Sequence, residues 1–383
     1  MSGFPRARTA IVGAATHGVG RNPGFEASDL AAVACRDALA DAGLSLAEVD
    51  GLFFVHNSDT MGGISFAQYL GIHPKITDNN RTGGSAFHTM VEQAAYLLDA
   101  GAINVALIAY GSNQASAAGK LVNTVLPMAH EALYRPMNPL TSYALATARH
   151  MHQFGTTKDQ LGAVALAARA WAQLNPEATK RDPLTMEGYR ASRMVGDPLS
   201  VLDCCLVTDG AAAIVMTRMD RARDLARPPV AVLGAAQETS HREIMCMPDL
   251  TVTAARESGA RAFAAAGVGQ ADVDVLQLYD AFTINPILFL EDLGFCPKGE
   301  GGRFVEGGRI APGGALPVNT SGGGLSYCHP GMFGLFTIVE SVRQLRGECG
   351  DRQVTGATIA LAHGNGGVLS SQATVILGGG ATF

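Results

Sequence analysis

Short apolar runs alternate with longer stretches of helical periodicity over most of this chain. Residues 9–12, 52–55, 105–109, 229–233, 275–278 and 359–362 are short runs with few polar side chains, which predicts strands. Residues 30–42, 87–98 and 256–266 place apolar side chains every three or four positions, which predicts helices with one face on a core. Strands and helices in alternation predict a layered α/β fold of βαβ-type units with right-handed crossovers. Between residues 114 and 200 the rhythm changes. Pro127, Pro136, Pro139, Pro176 and Pro183 break that segment into short pieces, among them an amphipathic run over 144–154. We read it as an insertion of the kind that covers a site.

The pattern also repeats. The stretch from Ala42 to Leu52, containing Gly43, Val49 and Asp50, resembles that from Ala266 to Leu276, containing Gly267, Val273 and Asp274, at an offset of 267 − 43 = 224. Thr82-Gly83-Gly84-Ser85 precedes a helical run and a strand ending at Tyr110-Gly111. Ser321-Gly322-Gly323-Gly324 precedes the same succession ending at His363-Gly364, at an offset of 364 − 111 = 253. Two repeats in one order predict a duplication, with halves at 1–225 and 226–383 and the insertion at about 114–200 in the first.

With 383 residues, 47% of them hydrophobic, the chain can bury a large core, and its 46 glycines fit many tight turns and close approaches of backbone. A net charge of −6 offers no electrostatic footprint for nucleic acid or an anionic membrane. No apolar run reaches the roughly 18 residues that a membrane-spanning helix needs. The N-terminus leads straight into a strand-like run without a signal core, and we expect a cytoplasmic protein. Seven cysteines with no C-x-x-C pair fit reduced thiols rather than a zinc site, so no metal is expected.

The chemistry begins at Asn79-Asn80-Arg81-Thr82-Gly83-Gly84-Ser85-Ala86, just before the helical run 87–98. This stretch resembles the nucleophile turn of a thiolase, Cys-x-Ser/Thr-Gly, with Asn80 where the thiol belongs. Further stretches carry the resemblance along the chain: His150-Met151 with Phe154-Gly155, Asp197-Pro198-Leu199, Leu202-Asp203-Cys204-Cys205, and Asp209-Gly210-Ala211. Later come Tyr279-Asp280-Ala281-Phe282, Gly294-Phe295-Cys296-Pro297, Pro317-Val318-Asn319 and His329-Pro330. Together they resemble the thiolase superfamily, in the branch of sterol-carrier-protein thiolases and side-chain-cleaving lipid-transfer aldolases. The resemblance implies a five-layer αβαβα fold, a homodimer, and acyl-CoA thioesters as substrates with no covalently bound cofactor. It also implies a separate zinc-ribbon and OB-fold acyl-CoA-binding partner.

Carried over residue by residue, the nucleophile falls on Asn80 and the Asn or His of the second motif on Tyr279. The catalytic histidine falls on His329, behind Cys328, and the second thiol falls on Gly364. An amide cannot carry an acyl group, so acyl transfer lacks its thiols. An enolate site remains useful without them, because it stabilises developing negative charge whether or not a thiol takes part. Retro-aldol cleavage of a 3-hydroxyacyl-CoA is such a reaction. We assign Tyr279 to the 3-hydroxyl proton, Asp280 to orienting the turn, His329 to the thioester oxygen and Tyr327 to proton donation. Asn80, Gly83, Gly323 and Gly366 are expected where backbone passes the thioester. Arg181, Arg190 and Arg193 are candidates for the CoA phosphates, and Met194, Met245 and Met247 for an apolar pocket. His363 is a second proton-donor candidate, the direction in which His88 faces stays open, and Cys204 and Cys205 read as core thiols. Two alternatives remain at this point. One is a thiolase or acetyl-CoA acyltransferase acting through Cys328 or an unrecognised nucleophile. The other is a non-catalytic acyl-CoA-binding subunit.

Overall fold

Each apolar run becomes a strand in a computed structural model that describes residues 3–56, 59–117 and 129–383. The first half-sheet holds β1 (Thr9–Gly20), β2 (Gly51–Val55), β3 (Ile76–Asp78), β4 (Val105–Ser112) and β5 (Asp209–Arg218), in the order β3-β2-β4-β5-β1. The second holds β6 (Val230–Thr239), β7 (Val275–Leu278), β8 (Ile359–Gly366) and β9 (Ser371–Gly378), in the order β6-β9-β8-β7. A short antiparallel seam, Ala10 with Ala231 and Ile11 with Val230, joins β1 to β6.

The duplication holds at the level of register. Parallel pairing sets Gly51 against Ala106 in the first half and Val275 against Ala360 in the second. The place of β3 is taken in the second half by an isolated parallel bridge between Leu276 and Val318. Helices α1 (Ala27–Ala42) and α5 (Ala255–Ala266) end alike, on Gly43 at φ 71° and Gly267 at φ 66°. That left-handed backbone costs glycine nothing, which is why the two repeats share it. After each glycine comes a short turn whose acidic residue, Glu48 or Asp272, accepts a backbone N–H from Ser45 or Gly269.

α1 lies on β1, β4 and β5, and α5 on β6 and β9. Between the half-sheets run α2 (Ala86–Asp99) and α7 (Gly334–Arg346), which touch each other and strands of both halves. This makes five layers, α-β-α-β-α. The central helices are buried beyond one stripe: Ala86 to Val91 and Leu335 to Val342 are covered without a break, polar His88, Thr337 and Glu340 included. Strands β5 and β9, which complete the two half-sheets, escaped the periodicity reading. Residues 210–213 and 373–374 are small or polar, and alanines between apolar neighbours carry little strand signal.

The insertion supplies α3 (Leu140–Phe154) and α4 (Lys158–Gln173). Both rest on the second half, where Trp171 donates its indole N–H to the Ile310 carbonyl at 2.9 Å and Asn175 donates to the Ser321 carbonyl at 2.9 Å. A buried contact between His150 and Glu291 at 3.1 Å ties α3 to α6 (Ile284–Asp292). Of the prolines that break up the insertion, Pro127 lies outside the described residues. Among the described residues, no helix is long and apolar enough to cross a membrane.

Candidate active site

Four connections and one helix, together with Cys205 and residues 239–243 at the end of β6, wall a cavity of about 400 Å³, within the range of small-molecule sites. Residues 81–84 lead into α2, 279–282 follow β7, 329–332 precede α7, and 365–371 link β8 to β9. Tyr143 enters from α3 of the insertion. The N-terminus of α2 therefore sits at the cavity, and its positive end favours an anionic group there.

Tyr279 is fixed from several sides. Its backbone N–H donates to the His363 carbonyl at 3.0 Å, as the continuation of the β7–β8 ladder. Its hydroxyl lies 2.9 Å from His329 Nε2 and accepts the Phe333 N–H at 3.2 Å. The two rings meet edge to face, 5.6 Å apart at 88°. Gly84 is required beneath it, since a Cβ there would stand 2.7 Å from Tyr279 Cδ2 and 2.7 Å from the Asn365 carbonyl oxygen. Burial raises the Tyr279 phenol well above its ordinary range, with the Phe333 N–H pulling the other way, so it rests as neutral phenol.

His329 is pinned by its own backbone. Its N–H donates to Thr208 Oγ1 at 3.1 Å, and its carbonyl accepts from Gln114 Nε2 at 3.0 Å. Burial lowers the imidazole to about 4, so it is neutral at physiological pH. Nδ1 has no hydrogen-bond partner among the described residues. Nε2 faces the Tyr279 phenol, so the histidine and the tyrosine form one hydrogen-bonded pair at the cavity. A neutral imidazole at 2.9 Å can take the phenolic proton while that oxygen takes one from a ligand.

Asp280 turns away from the cavity. Its carboxylate accepts the N–H groups of Gly324 at 2.6 Å and Leu325 at 3.4 Å, holding the turn Gly323–Tyr327 that leads to His329. Gly323, at φ 62°, has no room for a side chain, because a Cβ would lie 2.7 Å from Asp280 Cγ. Asp280 thus orients a turn, and burial lifts its carboxyl to about 7. Gly83 lines the cavity. Gly323 and Gly366 do not, and Gly366 instead lets β8 approach Ser85, with a notional Cβ 2.6 Å from Ser85 Oγ.

Other expected residues fall elsewhere. Asn80 closes its own turn by accepting the Thr82 N–H at 3.1 Å, and the wall of the cavity starts one residue later, at Arg81. Tyr327 donates to Glu177 Oε2 at 3.0 Å and is absent from the cavity lining, because the turn ends with its ring directed at the insertion. Cys328 is fully buried in extended backbone, off the cavity, with its thiol pushed well above the usual range by burial. His363 is held on both nitrogens, by Thr374 Oγ1 at 2.9 Å and Gln372 Oε1 at 2.9 Å. His88 is buried, 3.1 Å from Thr337 Oγ1, and its ring occupies the space beside Gly364. The space beside Gly364, the position that the resemblance gives to the second thiol, is therefore filled by an imidazole.

The cations at the cavity are Arg81 and Arg242, not Arg181, Arg190 or Arg193; Arg190 is paired with Asp159 at 2.8 Å. Met332 lines the cavity, whereas Met194 and Met245 are exposed and Met247 is buried away from it. Cys205 also lines it, contrary to its reading as a core thiol, although burial keeps that thiol well above its usual range. Sequence reasoning missed Tyr143 and the Asn365 side chain. Asn365 stands in the Gly-Asn-Gly-Gly turn and could have been found there, but Tyr143 lies in the insertion with no motif around it.

Residues 236–379 match the family model "Thiolase C-terminal domain-like". The chain is 36% identical over 365 residues to the 17-hydroxy-3-oxo-4-pregnene-20-carboxyl-CoA lyase of Mycobacterium tuberculosis, covering 89% of this chain and 92% of that one. It is 34% identical over 371 residues to the steroid side-chain-cleaving aldolase of Thermomonospora curvata, covering 91% and 92%. A solved structure described as an Ltp2-ChsH2(DUF35) aldolase superposes with a TM-score of 0.88 at 32% identity, over 98% of this chain and 99% of that one.

Proposed function

The chain belongs to the thiolase superfamily, in the branch of the sterol-carrier-protein thiolases and steroid side-chain-cleaving aldolases, and we propose that it cleaves a 3-hydroxyacyl-CoA by retro-aldol reaction. The observation that carries this reading is the Tyr279–His329 pair facing a cavity whose entrance turn has no cysteine. The substrate's 3-hydroxyl gives its proton to Tyr279 Oη as the phenolic proton passes to His329 Nε2. The Cα–Cβ bond breaks, the hydroxyl carbon becomes a ketone, and the bonding pair moves onto the α-carbon and thioester oxygen. Return of the proton to the α-carbon releases a shortened acyl-CoA. A neutral phenol beside a neutral imidazole suits this relay, since neither group has to be charged before substrate arrives.

The compound in the name of the Mycobacterium tuberculosis relative is itself a 3-hydroxy thioester, and we propose a steroid side chain or a similar bulky acyl group here. Homodimerisation and a separate zinc-ribbon and OB-fold partner belong to the same proposal. The two-part description of the solved relative supports a partner. The unpaired cysteines support a reducing compartment such as the cytoplasm.

The test is to incubate the protein with 17-hydroxy-3-oxo-4-pregnene-20-carboxyl-CoA, and to measure the 17-ketone and propanoyl-CoA by mass spectrometry. Tyr279→Phe is expected to lower kcat by about 10³. Cys205→Ala and Cys328→Ala are expected to retain cleavage. Full cleavage by Tyr279→Phe would sink the assignment, and loss of turnover in either cysteine variant would favour acyl transfer.

A further inference from the structure

Retro-aldol chemistry needs a donor to the thioester oxygen as negative charge develops there, and His329 Nε2 is already committed to Tyr279. A second phenol stands in the same cavity. Tyr143 is buried, stacks on Phe282 with ring centres 4.3 Å apart, and ends in the cavity wall. A chain of buried amides holds its oxygen. Asn365 Nδ2 donates to Tyr143 Oη at 2.7 Å, and Gln372 Nε2 donates to Asn365 Oδ1 at 2.8 Å.

The direction of that chain follows from its members. Gln372 spends its amide N–H on Asn365, so its oxygen must accept, and His363 Nε2 at 2.9 Å must be the protonated nitrogen. His363 Nδ1 then accepts from Thr374 Oγ1 at 2.9 Å. The histidine that sequence reading offered as a proton donor is thus the anchor of a polarised hydrogen-bond line. At the far end, Tyr143 receives a hydrogen bond and keeps its own O–H to give. Its acceptor is the Gly367 carbonyl at 3.3 Å, a long contact that a ligand oxygen can replace. The Asn285 amide, also buried, lies beside the same phenol and helps to hold it. Burial lifts Tyr143 to about 12, which keeps it a donor throughout the physiological range.

We propose that Tyr143 is a substrate-contacting residue that donates its phenolic hydrogen to the thioester oxygen and its enolate, with Asn365 as the positioning residue that aims it. This rests on the enolate reading above and adds a residue from the insertion to it. No atom is transferred in this role; the hydrogen bond strengthens as the oxygen gains charge.

Two assays test it on the full chain with its partner present. One is cleavage of 17-hydroxy-3-oxo-4-pregnene-20-carboxyl-CoA. The other is exchange of the α-hydrogen of propanoyl-CoA in deuterium oxide, which needs an enolate but no 3-hydroxyl and no bond cleavage. Tyr143→Phe is expected to lower kcat for cleavage and the exchange rate alike by about 10², with KM changed less than about threefold. Asn365→Asp offers the phenol an acceptor in place of a donor, so Tyr143 turns its hydrogen away from the cavity and both rates fall similarly. Thermal melts show whether either variant has merely unfolded, and the other then carries the test. Exchange and cleavage within threefold of the parent in a folded Tyr143→Phe protein overturn the role. A parent that exchanges but cleaves no 3-hydroxy thioester overturns the retro-aldol reading alone, with Tyr143 still judged by exchange. A parent that does neither overturns both.

Discussion

Restoring the second thiol, by Gly364→Cys, should damage the protein rather than revert its chemistry. A Cβ built on Gly364 would stand 2.7 Å from His88 Cε1 and 2.9 Å from Ser85 Cα, with His88 Nδ1 closer still. Neither neighbour can yield cheaply. Ser85 Cα is backbone at the start of α2, and the His88 ring is held by Thr337 at 3.1 Å. Thr337 already donates to the Gly334 carbonyl at 2.6 Å, so His88 Nε2 is the donor in that pair and would lose it on moving. Overpacking of this kind costs about 1–3 kcal/mol, and the broken buried hydrogen bond about 1 more. At about 2 °C per kcal/mol for a chain of this size, the thermal midpoint should fall by about 5 °C. His88→Ala alone should also destabilise, by opening a void. Combined with Gly364→Cys, it should cost less than the two changes added, with a coupling of about 2 kcal/mol. A Gly364→Cys protein melting within 1 °C of the parent, or additive costs in the double variant, would refute the claim that the imidazole has taken the thiol's space.

That exchange of side chains could not be read in the sequence, because Gly364 and His88 are far apart in the chain and each is ordinary where it stands. What could be read was the local pattern. The repeated Gly43 and Gly267 carried the duplication because a left-handed helix end demands glycine in both copies. Tyr279 and His329 were legible as motif positions, and the fold brings them to 2.9 Å. Roles that depend on which way a side chain turns were not. Tyr327 and His329 lie two residues apart, yet the first faces Glu177 and the second Tyr279. Asn80 was aligned by pattern, while the cavity wall starts at Arg81, since a turn with many glycines gives no side-chain periodicity to fix its register. Tyr143 belongs to the insertion, where proline breaks and a short amphipathic run announce helices but no chemistry.

Three further outcomes follow from the geometry. Gly84→Ala should push the Tyr279 ring off its seat, because the new methyl would lie 2.7 Å from Cδ2; kcat for cleavage should fall by at least about 10², and unchanged turnover would show that the ring has slack. Tyr327→Phe should leave turnover within about threefold while costing about 1 kcal/mol of stability, the worth of its hydrogen bond to Glu177, and a large loss of kcat would return Tyr327 to the site. Acidification should destabilise the fold before its ordinary carboxylates titrate. His88, His329 and His363 are buried and held neutral, with burial lowering them to about 3, 4 and 4. An unfolded histidine titrates at about 6.5, so below that pH the unfolded chain binds protons that the folded chain refuses, and stability present above 6.5 is lost as pH falls toward 4. At pH 5 the loss is about 2 kcal/mol for each. Asp280 and Glu92 oppose it: burial raises both carboxyls to about 7, so each takes a proton in the folded state first and returns about 2 kcal/mol between pH 7 and 5. The unfolding free energy from urea titrations should therefore drop by a net of about 1 to 2 kcal/mol from pH 7 to pH 5, and Asp280→Asn, which removes one opposing carboxyl, should widen the drop to about 3 to 4 kcal/mol. Equal unfolding free energies at the two pH values in Asp280→Asn would mean that the imidazoles reach water or acquire partners on protonation, and the neutral His329 that the proton relay requires would no longer be secured by burial.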